Sequence, residues 1–462
     1  MVVGRLALTL GLRRRLGTKI YTPKQCLLLN TPTSPSSSSS FCATARMASP
    51  STAPENGAAH VTPTQTYKPR YIDIGINLAD PIFRGVYNGK QRHDDDLSGV
   101  IDRARQVGCT KLIVTGSSFR SSRDALTIAK EYPGTVYTTA GIHPCSSSIF
   151  DTAHPHSHEE DGEGEHTPTC GPDPEKPVPD SQAIDAEKTE TIISDLRALI
   201  SSARGSGLVA FGEFGLDYDR LHYCSRALQL HSFRAQLALA ASLSPQLPLF
   251  LHSRAAHEDF VACLKDAFGD SLERLEKGGV VHSFTGTIQE MEELMNLGLY
   301  IGLNGCSFKT AENCDVVKAV RLDRLMIETD GPWCEVRPSH EGWKHLVEMD
   351  RQERAAAEQA AEPPAGGVPA ENAEAVPSAP AAPKKQQQSK KKPQKKESEV
   401  IERFNTVKKE KWVKGAMVKS RNEPCLIERV AKIVASIKGV SVEEVCEAAW
   451  QNTAKVFDLD EN

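Results

Sequence analysis

The chain has 462 residues, 39% of them hydrophobic, which is enough apolar material for one large core. No apolar run reaches the roughly 18 residues that a membrane span needs, so a spanning protein is excluded. The formal net charge of −5 rules out a global basic field, and any phosphate-binding surface must be local.

Residues 1–54 contain no Asp or Glu but carry Arg5, Arg13, Arg14, Arg15, Lys19, Lys24 and Arg46, and a Ser-rich tract lies within them at 34–40. That composition is of a mitochondrial transit peptide rather than a secretory signal, with Met47 as an alternative start. Residues 1–66 are therefore read as an extension. Twelve cysteines without a CxxC pair fit reduced thiols in the cytoplasm, nucleus or mitochondrial matrix.

From Tyr71 onward, strand-like and helix-like segments alternate. Apolar runs at 71–78, 111–116, 136–144, 208–217, 247–253, 278–284, 300–305 and 325–333 read as strands. Helical spacing fills 97–107, 121–131, 188–204, 224–243, 255–268, 287–297 and 311–320, and further helices follow at 425–438 and 442–456. Runs apolar on both faces, alternating with helices, predict a (β/α)₈ TIM barrel over 67–349 and 399–462. The alternative is an open, doubly wound sheet.

Two segments interrupt the plan. An acidic insertion at 145–186 carries His154, His156, His158 and His166, which read as adventitious ligands in a loop without apolar neighbours. A second, at 350–398, runs from Ala/Glu-rich to Pro/Ala-rich and ends in a lysine run at 384–396. That run reads either as a nucleic-acid tether or as a solvated linker.

Four residues close the apolar runs with chemistry a core does not need: Glu213, His252, His282 and Asp330. The C-terminal ends of barrel strands open on one face, so these two imidazoles and two carboxylates would converge there as a divalent-metal site. A single histidine in such a place is more often a hydrogen-bonded core residue; two matched by acids read as ligands. Glu213 is expected at a strand exit, where a carboxylate can bridge two cations, and Asp330 is expected to bind metal and take a proton from water. Glu328, on the same face, reads as a structural partner. His143 in GIHP and Arg254 in HSR are the candidates for gripping phosphate.

The strings IDIGINLADPIFRGVY, GIHP, GEFGLDYDR, LHSR, HSFTGT, ETDGPWC and RNEP occur in this order between residues 71 and about 458. In them the chain resembles the TatD family of metal-dependent deoxyribonucleases, specifically its eukaryotic branch. The resemblance implies an amidohydrolase-like barrel and metal-dependent hydrolysis of DNA, often as a 3′→5′ exonuclease. It places the ligands at Glu213, His252, His282 and Asp330, with His143 in the site. Many members of the wider superfamily carry His-x-His on the first strand, where this chain has Gly75 and Asn77. Asp73 and the Asn77 oxygen are then minor contributors to the more buried metal position. Fewer nitrogens and more oxygens favour Mg²⁺ or Mn²⁺ over Zn²⁺, as one or two ions. The expected partner is DNA, with no membrane, no obligate protein partner and a monomeric state. RNEP is expected to anchor the closing helices. Two other readings compete: a hydrolase of a small phosphoester, amide or ester, and a decayed nucleic-acid-binding scaffold.

Overall fold

The computed structural model describes residues 67–152, 176, 178, 184–361 and 399–459. Eight strands form one sheet in chain order, every neighbouring pair parallel: β1 (Tyr71–Ile76), β2 (Cys109–Val114), β3 (Val136–Ala140), β4 (Leu208–Asp217), β5 (Leu249–Arg254), β6 (Gly279–Val281), β7 (Tyr300–Leu303) and β8 (Leu325–Ile327). Just beyond the strands, the first and last are tied together. Asn77 N–H donates to Gly331 O and Asp330 N–H to Gly75 O, both at 2.8 Å. The expected barrel is therefore what forms.

Strand alternation sorts the side chains into two layers. Ile72, Ile74, Ile113, Ala210, Phe250, Val280, Tyr300 and Met326 fill the interior, together with Trp450 and Phe457. Ile76, Leu112, Val114, Phe211, Leu251, Ile301 and Ile327 belong to the outer core, with the helices. Those helices are α1 (Leu97–Gln106), α2 (Phe119–Glu131), α3 (Ala186–Ala203), α4 (Arg226–Ser242), α5 (His257–Phe268), α6 (Ile288–Asn296), α7 (Ala311–Ala319), α8 (Trp343–Ala361), α9 (Ile427–Lys438) and α10 (Val442–Phe457). Their starts carry side-chain caps where the sequence offers them: Asp185 for α3, Ser225 for α4, and capping boxes Thr287–Glu290 for α6 and Ser441–Glu444 for α10. Trp450 of α10 lies under Arg70, and Asn452 holds Leu322 O and Leu325 O, so α10 covers the strand N-termini and leaves the opposite face open.

Several boundaries differ from expectation. The strand predicted at 136–144 stops at Ala140, and His143 becomes the N-cap of a 3-10 turn, Pro144–Phe150, because a proline is well placed at a first helical position. The acidic insertion is accordingly ordered at its edges, where Asp151 pairs with Ile184. The insertion expected from 350 begins inside α8, since the Ala-, Glu- and Gln-rich run to Ala361 is strongly helix-forming. The leader, the four histidines at 154–166 and the lysine run at 384–396 lie outside the described residues. The RNEP string does anchor the fold. Arg421 bonds Asp96 (2.5 Å) and Glu423 (2.8 Å), while Arg103 bonds the same two acids at 2.7 and 2.8 Å, all four side chains being buried.

Candidate metal centre

Glu213 does not leave a strand as expected; it sits inside β4, which runs on to Asp217. Its neighbours Gly212 and Gly215 have φ of +144° and +152°, and a Cβ on them would lie 2.1 Å from Phe250 O and 1.8 Å from His252 O. Glycine is thus what allows β4 to approach β5 this closely. Glu213 Oε1 then meets three imidazoles: His282 Nε2 at 2.6 Å, His252 Nδ1 at 3.1 Å and His143 Nε2 at 3.4 Å. His252 Nδ1 and His282 Nε2 are 3.3 Å apart. All four residues are buried. On the other side of the site, buried Gln229 and Gln236 of α4 hold the backbones of Asp217 and Ile142.

The remaining ring atoms decide what each imidazole presents. His252 Nε2 faces the Asp217 carboxylate at 3.1 Å, an acceptor only, so the ring's proton sits on Nε2 and a lone pair on Nδ1. That lone pair points at Glu213 Oε1, acceptor against acceptor, which a cation between them resolves. His282 Nδ1 faces Glu328 Oε2 at 3.5 Å, and neither atom makes a hydrogen bond. Glu328 is fixed through its other oxygen by Ser283 N–H at 2.5 Å and Asn304 Nδ2 at 3.2 Å. His143 differs. Its Nδ1 accepts Cys145 N–H at 3.0 Å, so Nε2 carries the proton. The donor atoms of His143, Glu213 and His252 lie within 4.8 Å of one another, but a protonated Nε2 is a hydrogen-bond donor and not a ligand.

Burial alone would raise the Glu213 carboxyl, yet the charge of His282 and the 2.6 Å bond from its Nε2 hold it well below the usual carboxylate range. Burial would likewise lower His282, but Glu213 and Glu328 on its two sides keep it protonated, well above the ordinary imidazole value. His143 is pulled down to about 3 by burial and is neutral. Asp330 is lifted to about 7 by burial, with Glu328 and Glu213 adding to the effect and His282 opposing it. Asp330 thus belongs to the same electrostatic cluster. Its Oδ1 accepts from Asn77 Nδ2 at 3.1 Å and its Oδ2 from Cys334 Sγ at 3.2 Å.

The two first-strand candidates have partners within the protein. Asp73 is fully buried and spends its oxygens on Thr329 N–H (3.0 Å), Thr329 Oγ1 (2.5 Å) and Gly75 N–H (3.3 Å). Burial raises it to about 8. The Asn77 oxygen accepts from Thr115 Oγ1 at 2.5 Å, while its amide donates to Asp330 Oδ1. Gly75 has its own reason. A Cβ there would lie 2.3 Å from Glu328 Oε2, so the Glu328 carboxylate fills the space a first-strand imidazole would claim. Arg254 ends β5, half-buried, with no hydrogen bond to a described residue, and its charge helps to lower Asp217. Arg220, which the sequence reading missed, stands 3.6 Å from Asp217 Oδ2. Asp217 was missed as an orienting group, while Glu328, read as a structural partner, faces His282 Nδ1. The signal for Asp217 was its even spacing from Glu213 along one strand.

No helix among the described residues is long and apolar enough to cross a membrane. The family model for TatD related DNase matches residues 72–458. The "Deoxyribonuclease Tat-D" of Schizosaccharomyces pombe is 38% identical over 84% of this chain and 96% of that protein. The "3'-5' ssDNA/RNA exonuclease TatD" of Erwinia tasmaniensis is 34% identical over 57% of this chain and 80% of its own. Among solved structures, an uncharacterized amidohydrolase from Saccharomyces cerevisiae superposes with a TM-score of 0.60 at 29% identity, covering 84% of this chain and 99% of that one. The barrel, its buried His/Glu cluster and these likenesses agree, and the chain belongs to the TatD related DNase family as a hydrolase acting on ester bonds.

Proposed function

We propose that the chain hydrolyses DNA phosphodiester bonds as a divalent-metal-dependent 3′→5′ exonuclease acting on single strands. Glu213, His252, His282 and Asp330 would hold the cation, with Mg²⁺ or Mn²⁺ suiting a set half of whose members are carboxylates. The observation that carries this is the lone pair of His252 Nδ1 aimed at Glu213 Oε1 at 3.1 Å, in a buried cluster that also turns His282 Nε2 inward. The name of the Erwinia tasmaniensis relative supports the direction and the strand preference.

When bound, the cation supplies positive charge to a phosphoryl oxygen and to water. The chain's own residues do the rest. Asp330 is placed to accept the proton of the attacking water, and Asn77 and Cys334 keep it aimed. His143, neutral with its proton on Nε2, donates to a non-bridging oxygen, and Arg254 offsets phosphate charge. Water adds to phosphorus, the bond to the 3′-oxygen of the preceding nucleotide breaks, and a 5′-mononucleotide leaves. End-labelled single-stranded DNA incubated with the protein and Mg²⁺ tests the proposal. Mononucleotides should appear, and Glu213→Ala should lower the rate by more than about 100-fold, since outer-sphere changes alone cost about 10–100-fold. Wild-type protein that releases no nucleotides, or a Glu213→Ala variant as fast as wild type, sinks it.

A further inference from the structure

A nuclease whose net charge is negative must still draw a polyanion to its mouth. We propose that the segment Lys408–Lys419 and the Trp333 ring together form the track for a single-stranded nucleic acid, the lysines pairing with phosphates and Trp333 stacking on a base. This rests on the nuclease reading of the site.

Charge is the first observation. Between 408 and 419 stand Lys408, Lys409, Lys411, Lys414 and Lys419 against Glu410 alone, a local net of +4 in a chain of −5. None of the five forms an ion pair with a described carboxylate, whereas Lys265, Lys344 and Lys432 elsewhere do. Four of them are exposed, and Lys409 Nζ lies 4.8 Å over the Tyr87 ring. Lys408, Lys409 and Lys419 line a cavity of about 350 Å³ together with Tyr87 and Arg421. The lysines are free to meet phosphate; Arg421 is not, being committed to Asp96 and Glu423.

Position is the second. Asn422, three residues after Lys419, donates its backbone N–H to Pro332 O at 3.1 Å and its side-chain amide to Trp333 O at 2.7 Å and Thr329 O at 2.8 Å. Three residues span at most about 10 Å, so the lysine segment ends beside the Asp330 loop. Trp333 N–H in turn bonds Asp330 O at 3.0 Å. The Lys419 end of the basic segment, the tryptophan and Asp330 are therefore stitched into one rim.

The third observation is the ring itself. Trp333 is 57% exposed although its backbone is pinned on both sides. An exposed indole on a fixed backbone at the edge of a site is a stacking platform, and stacking on aromatics accepts any base. The neighbouring Trp412 is spoken for: it stacks on His93 at 4.8 Å and donates to Ala416 O.

Fluorescence anisotropy with a labelled oligothymidylate, in the full chain carrying Glu213→Ala to stop turnover, tests the track. Removing three phosphate contacts with Lys411→Ala, Lys414→Ala and Lys419→Ala should flatten the slope of log affinity against log salt by about 2. Going from 50 to 200 mM salt should then cost this variant about 20-fold less affinity than it costs the parent. Trp333→Ala should weaken binding by about 5- to 150-fold, with Trp333→Phe retaining most of it. A triple variant with the parental slope, or a Trp333→Ala protein that binds as the parent does, overturns the track. So does a deletion of 384–396 that alone removes the salt dependence. The nuclease reading fails separately, if the intact chain hydrolyses neither the oligonucleotide nor bis(p-nitrophenyl) phosphate.

Discussion

Asp217→Asn would separate metal binding from stability in a way the geometry fixes in advance. Asp217 is fully buried; one oxygen takes Asp219 N–H and the other His252 Nε2, each at 3.1 Å. An asparagine has one oxygen for these two donors. If that oxygen stays on Asp219, the new amide group points at His252 Nε2, which must become an acceptor. The ring proton then moves to Nδ1 and bonds Glu213 Oε1 in the direction where the lone pair stood. The fold keeps its hydrogen bonds and the ligand disappears. If the amide turns over, its NH₂ faces Asp219 N–H and the side-chain cap of the following turn is lost, at a cost of about 0.5–2 kcal/mol. The first arrangement should win. Mn²⁺ affinity by calorimetry should fall by about 10–100-fold while the urea midpoint stays close to wild type. Affinity within about twofold of wild type would refute the tautomer argument. A large loss of stability with metal binding intact would refute it equally.

Two further outcomes follow from the same cluster. Gly75→Ala puts a methyl 2.3 Å from Glu328 Oε2, so Glu328 must yield its bonds to Ser283 and Asn304. A destabilisation of about 1–3 kcal/mol in urea unfolding is expected, and an unchanged midpoint would show that the carboxylate has room to move. Cation binding should also release protons. Metal-free His282 holds one between Glu213 and Glu328, and Asp330 carries one below about 7. Because the Asp330 carboxyl is raised on folding, its contribution favours the metal-free fold at low pH and is lost as pH climbs through about 7. Metal affinity should therefore rise with pH through that region, and calorimetry in buffers of different ionisation enthalpy should register more protons released at pH 6 than at pH 9. Heats that do not depend on the buffer would contradict this.

The barrel was legible because its strands are buried on both faces and so appear as short apolar runs, as Leu249–Leu251 and Leu325–Ile327 do. Glu213, His252 and His282 stood out because each is a polar intrusion into such a run, and the structure brings them together. The orienting residues were harder. Asp217 looks in sequence like an ordinary acid at a strand end; only tertiary pairing tells an acid that orients an imidazole from one that faces water. The partner of Asp73 was hidden for the same reason, since Thr329 lies 256 residues away. The 350–361 part of α8 was hidden by low complexity, although its alanines and glutamates are good helix formers. Most telling is Asn77, whose oxygen gives no sign in sequence of Thr115 beside it.

Asn422 has a consequence for how the enzyme comes into being. Its amide completes the loop that carries Asp330 and Trp333, yet it is joined to the chain only after the whole barrel and a long intervening stretch have been synthesised. A ribosome that has delivered all eight strands has still not delivered a finished mouth. A protease cutting anywhere between 361 and 399 would leave the bulk of the protein intact and its reactive rim dependent on the severed tail staying docked.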